Sequence, residues 1–86
     1  MTLSESTKAV LLSIAKFRQL MGFAPAVADI RIDTEMPVGA IRKHISFLAV
    51  GGYINHYPGS KDYRLTEKGV QFIRSLIAEK GRQILA

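Results

Sequence analysis

A short polar turn between two helical segments limits how this 86-residue chain can fold. Residues 53–65 place Pro-Gly-Ser turn chemistry at 58–60, with Tyr53, Ile54 and Tyr57 before it and Tyr63 after it, which predicts a two-stranded hairpin. The segment before it ends in the glycines 51–52, a usual helix stop. Thr66 can cap a following helix that has Glu67 in its first turn. The chain must therefore hold a hairpin between two helices.

Apolar residues at helical spacing predict four helices, over about 5–21, 27–34, 37–50 and 67–85. Pro37 fits the first turn of the third helix. With the hairpin, this predicts a single domain over 1–86 that is mainly α. The residues expected to face the core are Val10, Ile14, Phe17, Met21, Ala28, Ile30, Ile32, Ile41, Ile45, Leu48, Val70, Ile73, Ile77 and Ile84.

Composition narrows the partners that such a domain can have. Twelve Lys and Arg against seven Asp and Glu give a net charge of +5, which makes polyanions plausible partners. The chain has no cysteine, so disulfides and thiolate metal sites are excluded. No apolar run approaches the ~20 residues of a membrane span, and the N-terminal residues are unlike a signal peptide. We therefore expect a cytoplasmic protein.

The third predicted helix separates an apolar face from a basic face. At about 100° per residue, Ile45 and Leu48 lie within about 40° of Ile41. The opposite and flanking sector holds Gly39, Arg42, Lys43 and Ser46. All seven acidic residues lie outside the segment 36–61. A helix surface selected for solubility alone normally mixes both signs of charge, so this segment indicates a function for its positive charge.

The order of helix, helix, helix, hairpin and helix is that of a winged helix-turn-helix domain, and several stretches resemble that superfamily. "GGYI" before the hairpin and "YRLTEKG" after it resemble MarR-type and PadR-type regulators, in which a Leu-Thr-x-x-Gly step leads from the wing into the next helix. "MGFAPAVADI" and "MPVGAIRKHISFLAVGGYI" resemble the DNA-binding domain of LexA repressors. The resemblance covers roughly residues 8–75. The sequence differs from the usual pattern before the recognition helix, where it has "TEMP" and many such domains have Leu-Gly-Ile/Val-Ser.

The resemblance implies a three-helix core, a two-stranded wing and a C-terminal helix that together bind double-stranded DNA and regulate transcription. Helix 37–50 would enter the major groove, and residues 55–64 of the wing would reach the backbone or the minor groove. An ordinary solvated surface is the alternative for the same side chains. The residues expected to contact DNA are Val38, Gly39, Arg42, Lys43, Ser46, Tyr57, Ser60, Lys61 and Arg64.

Apolar residues away from the helical stripes suggest protein contacts. Leu12, Phe72 and Leu76 lie off the predicted buried faces, which favours a homodimer that joins through these residues. Phe47 and Val50 point away from the core side of the third helix, where a DNA-reading surface seldom has large apolar groups. These two residues favour an alternative function, a winged-helix protein-interaction module that does not bind DNA.

No arrangement in the sequence indicates catalysis, a metal or a cofactor. His44 and His56 are twelve residues apart with no cysteine nearby, and His44 is expected to be partly buried by packing. Asp29 and Asp33 lie one helical turn apart, which fits a solvated face of the second helix better than a pair of catalytic carboxylates. Because nothing resembles a Ser-His-Asp set or a phosphate-binding loop, an enzyme is not expected.

Overall fold

Helix α1 forms the centre of the protein, and the other helices pack around it. The computed structural model describes residues 3–55 and 63–85, with side chains as far as residue 79. The elements in chain order are α1 (Glu5–Lys16) with a π-helical extension (Phe17–Met21), α2 (Val27–Thr34), α3 (Val38–Val50), β1 (Ile54–Asn55), β2 (Arg64–Leu65) and α4 (Glu67–Leu85). The predicted class, mainly α with a small two-stranded antiparallel sheet, is confirmed.

The core joins one face of each helix to the root of the hairpin. Ile54 pairs with Leu65 and Asn55 with Arg64, a register that turns Ile54 into the core. Burying these side chains is the main favourable contribution to folding. The buried hydrophobic residues are Val10, Leu11, Ile14, Ala15, Ile30, Ile41, Ile45, Leu48, Ile54, Tyr63, Ile73 and Leu76.

The last turn of the first helix does not continue the α-helical register. Ser4 caps α1 by accepting a hydrogen bond from the Thr7 N–H at 3.2 Å, but residues Phe17–Met21 are π-helical. A π turn has more residues per turn than an α-helix, so it rotates later side chains away from the α1 stripe. The expectation that Phe17 and Met21 face the core is therefore wrong: Phe17 is half-buried and Met21 is exposed.

Helix α2 is short and buries one residue. Ile30 is fully buried between α1 and α3, as predicted. The prediction that Ala28 and Ile32 also face inward is wrong, since both are exposed and Ile32 keeps 79% of its surface accessible. Helix α2 has only eight residues and contacts its neighbours along one side, so its other apolar residues are not turned inward. Asp29 has a capping role, because its Oδ2 accepts the Ala26 N–H at 2.9 Å.

A left-handed residue makes the turn between α2 and α3. Glu35 has φ 60° and ψ 18°, and its N–H donates to the carbonyl of Arg31 at 2.8 Å. Thr34 Oγ1 donates to the carbonyl of Ile30 at 2.7 Å and closes the same turn. A residue with a Cβ in this conformation costs about 1–2 kcal/mol, which is why glycine usually occupies such positions. "TEMP" therefore makes the turn despite some backbone strain. Pro37 is the N-cap of α3, so the helix begins one residue later than predicted.

A close backbone approach joins the hairpin to α4. The carbonyl of Tyr53 accepts the Thr66 N–H at 3.1 Å, and Thr66 Oγ1 in turn accepts the Gly69 N–H at 3.1 Å, which confirms the predicted cap. A Cβ on Gly69 would overlap the Tyr53 carbonyl oxygen. Gly52 has φ 80°, the left-handed conformation predicted for this helix end. Glycine at 69 thus brings the start of α4 against the strand.

This approach sets the rotation of α4. The side of the helix that carries Gly69 faces the body of the protein, so the buried face is centred between Ile73 and Leu76. The predicted stripe of Val70, Ile73 and Ile77 is therefore wrong at its edge, because Ile77 is 61% exposed. The prediction for Ile84 falls outside the described side chains. The rotation of α4 about its own axis decides which of its apolar residues face solvent. The sequence pattern did not reveal this rotation.

Candidate nucleic-acid interface

The two faces of α3 are separated as its sequence predicts. Ile41, Ile45 and Leu48 are buried against the rest of the core. Arg42 and Lys43 are adjacent in the chain, and both are exposed. The buried row fixes the helix in the body of the protein, so the backbone that carries these two cations is held in place.

Neither cation of α3 is neutralised by a carboxylate in the described part of the chain. The ion pairs there join Lys8 to Glu5 and Lys16 to Asp33. Arg42 and Lys43 make no such pair, and the sequence has no acidic residue between positions 36 and 61. Both side chains can therefore present their full charge to an external anion.

Small residues beside these cations leave the α3 backbone accessible. Gly39 is exposed, and a Cβ built there would have no atom within 4 Å, so its small size meets no packing requirement of the fold. Val38 is half-buried. Ser46 is exposed, but its hydroxyl donates to the carbonyl of Arg42 at 3.1 Å. Ser46 can therefore offer a partner an acceptor, and a donor only if this bond breaks.

A polar contact that the sequence did not reveal locks α3 onto α1. His44 Nδ1 lies 2.9 Å from Oγ1 of Thr7, a buried residue, and the same oxygen lies 2.8 Å from the Ser4 hydroxyl. The predicted partly buried packing role of His44 is confirmed. Its partner lies 37 positions away on another helix, so no local spacing could have identified it. This contact helps to hold α3 in one orientation, with its two cations exposed and its apolar row in the core.

Of the hairpin, the structure describes the base, which includes the strands β1 and β2. Arg64 is exposed on β2, opposite Asn55, at the position predicted for a DNA contact. Tyr63 is buried, as expected for strand packing. The predicted contacts Tyr57, Ser60 and Lys61 lie outside the described residues, and so does His56. Whether Lys61 shares a surface with Arg42 therefore stays a prediction.

Tyr53 connects α3, the sheet and α4. Its ring lies 5.4 Å from the ring of Phe72 in an edge-on arrangement, and Lys68 Nζ lies 4.6 Å from the Tyr53 ring centroid. Lys68 Nζ also donates to the carbonyl of Gly51 at 2.7 Å. Aromatic and cation–π contacts of this kind each contribute about 0.5–1.5 kcal/mol. They hold the residues between α3 and β1 against α4.

The residues expected to form the dimer contact are less exposed than the sequence predicts. Leu76 is buried, Phe72 is half-buried against Tyr53, and Leu12 is half-buried against the core. The expectation that Leu76 faces outward is wrong, because the rotation of α4 turns it inward. Leu12 and Phe72 keep part of their surface accessible, and the dimer contact itself stays a prediction.

A different apolar surface lies between α1 and α4. It is a groove of about 610 Å³, which we call the α1–α4 groove. Leu20 is 75% exposed on one side of it, and Ile77 is exposed on the other. The side chains that line the groove include Leu12, Lys16, Leu20, Leu65, Arg74 and Ile77. Sequence reasoning missed Leu20 because it lies in the π-helical turn.

Phe47 and Val50 remain exposed, as the sequence predicts. Phe47 keeps 53% of its surface accessible and Val50 keeps 90%. Both belong to the C-terminal half of α3, beyond Arg42 and Lys43. The α3 surface therefore has two chemically different parts, one cationic and one apolar.

Asp33 has a structural role, and the described acidic and histidine residues form no metal site. Asp33 pairs with Lys16, and this hydrogen bond holds the pKa of the Asp33 carboxyl below its usual value, although burial opposes the shift. Within residues 3–55 and 63–79, no three or more His, Asp or Glu side chains are grouped so that they could hold a metal ion.

Comparison with protein-family models and with curated proteins gives no match. Among the described residues, no helix is long and apolar enough to cross a membrane.

Proposed function

We propose that the protein binds double-stranded DNA in a sequence-specific manner and acts as a homodimeric, cytoplasmic regulator of transcription. One observation carries the proposal: Arg42 and Lys43 are exposed and unpaired in the described chain, on the sides of α3 that flank and oppose its buried face. A guanidinium group can bond guanine O6 and N7 together, and an ammonium group suits a phosphate. The surface thus combines a group that can read bases with one that can bind the backbone.

The dimensions of α3 suit this role. Its 13 residues make the helix about 20 Å long. With its side chains an α-helix is about 10–12 Å in diameter, which fits the major groove, about 12 Å wide. The buried row and the bond between His44 and Thr7 hold the helix rigid, so little conformational entropy would be lost on binding. Gly39 would let the α3 backbone approach the duplex closely. In this proposal, Arg64 and the wing bind the adjacent backbone or minor groove.

The test begins with selection of bound sequences from a random duplex pool, followed by fluorescence anisotropy over a range of salt concentrations. We expect log K to fall with log salt by about 0.9 per neutralised phosphate. Lys43→Ala should lower this slope by about one contact. Arg42→Ala should cost about 1–3 kcal/mol and relax the preference at one base pair.

Arg18→Ala is the matched control, because Arg18 is an exposed cation outside α3 and the sheet, and its loss changes the net charge equally. It should leave the affinity and the slope nearly unchanged. If the wild-type protein binds no duplex at low salt, or if Arg18→Ala weakens binding as much as Arg42→Ala does, the DNA-binding proposal is refuted.

In the homodimer, we place the contact in the α1–α4 groove, because Leu20 and Ile77 are the exposed apolar residues there. Two recognition helices of a DNA-binding dimer lie about 34 Å apart on the duplex. Light scattering should give twice the 9.5 kDa mass of one chain. Leu20→Ser with Ile77→Ser should give the single-chain mass, and Ile32→Ser, an equally exposed apolar change outside the groove, should not. A wild-type monomer at high concentration would refute the dimer.

The exposure of Phe47 and Val50 supports a second candidate, a protein-interaction module that does not bind DNA. Arg42→Ala with Lys43→Ala distinguishes the two functions. In the DNA model this double variant loses duplex binding and keeps its fold. In the adaptor model, partner binding depends on Phe47 and Val50, and the wild-type protein has no duplex affinity to lose.

A further inference from the structure

The C-terminal end of α3 borders a shallow depression that neither the fold nor DNA binding explains. It has a volume of about 450 Å³ and lies where α3 meets the N-terminal residues and the start of α4. Phe47, Val50, Tyr53 and Leu3 supply its apolar side chains, while Thr7 and Lys68 supply polar ones. We call this site the α3-end depression.

Two of its apolar side chains have no role in the core. α3 is already anchored by Ile41, Ile45 and Leu48, whereas Val50 is 90% exposed and Phe47 is 53% exposed. Single exposed apolar residues are common on protein surfaces. Here, however, an exposed phenylalanine and valine lie one turn apart and line the same concavity as a half-buried tyrosine. Aromatic groups in a concave patch are typical of the anchoring part of a protein–protein interface.

The charge of the depression limits what can bind there. Lys68 is the charged residue of its lining, and the lining contains no acidic side chain. Lys68 is held in place, because Nζ donates to the Gly51 carbonyl at 2.7 Å and lies 4.6 Å from the Tyr53 ring centroid. A cation positioned in advance loses little side-chain entropy when it binds a carboxylate. A partner with an acidic group beside an apolar one therefore complements this site.

A duplex does not match this chemistry. Phosphate oxygens need donors or cations, and Phe47 and Val50 offer neither. We infer that the α3-end depression binds a short segment of another protein, in which a large apolar side chain enters beside Phe47 and Val50 and a neighbouring carboxylate pairs with Lys68. This inference does not depend on DNA binding, because neither Arg42 nor Lys43 lines the depression.

The experiment uses a phage-displayed library of random 12-residue peptides, selected on the full chain without DNA. We expect the selected peptides to share an aromatic or large aliphatic residue within a few positions of Asp or Glu. Anisotropy with a synthesised peptide should then show a loss of at least tenfold in affinity for Val50→Ser and for Phe47→Ser. Ile32→Ser is the matched control, because Ile32 is 79% exposed on α2 and outside the depression, and it should bind like the wild type.

A double-mutant cycle tests the pairing with Lys68. Lys68→Met and replacement of the peptide carboxylate by its amide should each weaken binding severalfold, and both together should weaken it little further. The inference is overturned if selected peptides have no acidic preference, if Val50→Ser binds as the wild type does, or if no peptide is enriched. It is also overturned if Val50→Ser converts a wild-type dimer to a monomer, because a second copy of the chain is then the occupant. Since no DNA is present, failure of this test leaves the proposed function standing. Failure of the duplex-binding test likewise leaves this inference standing.

Discussion

The same substitution, glycine to alanine, should have opposite effects on stability at two helical positions of this protein. Both Gly39 in α3 and Gly69 in α4 lie in the first turn of a helix, where alanine is intrinsically better than glycine by up to about 0.5–1 kcal/mol. A Cβ at Gly39 meets no atom within 4 Å, whereas a Cβ at Gly69 overlaps the carbonyl oxygen of Tyr53. The intrinsic gain in helix stability from alanine is therefore similar at both positions. The surroundings of each glycine alone decide whether the substitution stabilises or destabilises the protein.

Gly69→Ala must push the start of α4 away from Tyr53. That movement weakens the bond from the Thr66 N–H to the Tyr53 carbonyl, and it moves Ile73 out of the core. A lost hydrogen bond costs about 1 kcal/mol, and overpacking of this kind costs about 1–3 kcal/mol. After subtraction of the helix gain, we expect the free energy of unfolding to fall by about 2–3 kcal/mol.

Thermal unfolding followed by circular dichroism measures both changes. For 86 residues the entropy of unfolding is about 0.18 kcal/mol/K, so 1 kcal/mol shifts Tm by about 5–6 °C. We expect Tm to fall by about 10–15 °C for Gly69→Ala and to rise by about 3–5 °C for Gly39→Ala. Urea unfolding should give the same order. A rise in Tm for Gly69→Ala would refute the close approach of α4 to Tyr53, and with it our explanation for the rotation of that helix.

Three further predictions concern contacts that hold the helices together. Glu35→Gly should raise the free energy of unfolding by about 1 kcal/mol in urea unfolding, because it removes the strain of a left-handed residue with a Cβ; a destabilised variant would contradict the turn geometry. Thr7→Val should lower stability by about 1–2 kcal/mol because His44 loses its partner, whereas Thr7→Ser, which keeps the hydroxyl, should lower it less. Asp33→Asn should cost up to about 1 kcal/mol near pH 7, because it removes the pair with Lys16. Since the folded pKa of Asp33 is lowered from 3.8, the difference from the wild type should be fully present above that pH and should vanish as the pH falls through the folded pKa; a difference that persists at lower pH would refute its electrostatic origin.

Much of the candidate interface on α3 could be predicted because it depends on one helix. The exposure of Arg42, Lys43, Phe47 and Val50 follows from the period of 3.6 residues once Ile41 is taken as the core centre. The exposed residues of the proposed dimer contact, Leu20 and Ile77, could not be predicted in this way. Their exposure depends on how far α4 is rotated, and on a π-helical turn that shifts the register after Lys16.

The sequence by itself determined the order and nearly all the limits of the helices, the glycine and threonine caps, the place of the hairpin and the two faces of α3. These features depend on short-range backbone preferences and on periodicity, both of which are written in neighbouring residues. Only the tertiary structure decided that Leu76 is buried and Ile77 exposed, and that His44 bonds to Thr7. Those outcomes depend on the fit of Gly69 against Tyr53 and on contacts between distant positions, which no local pattern encodes.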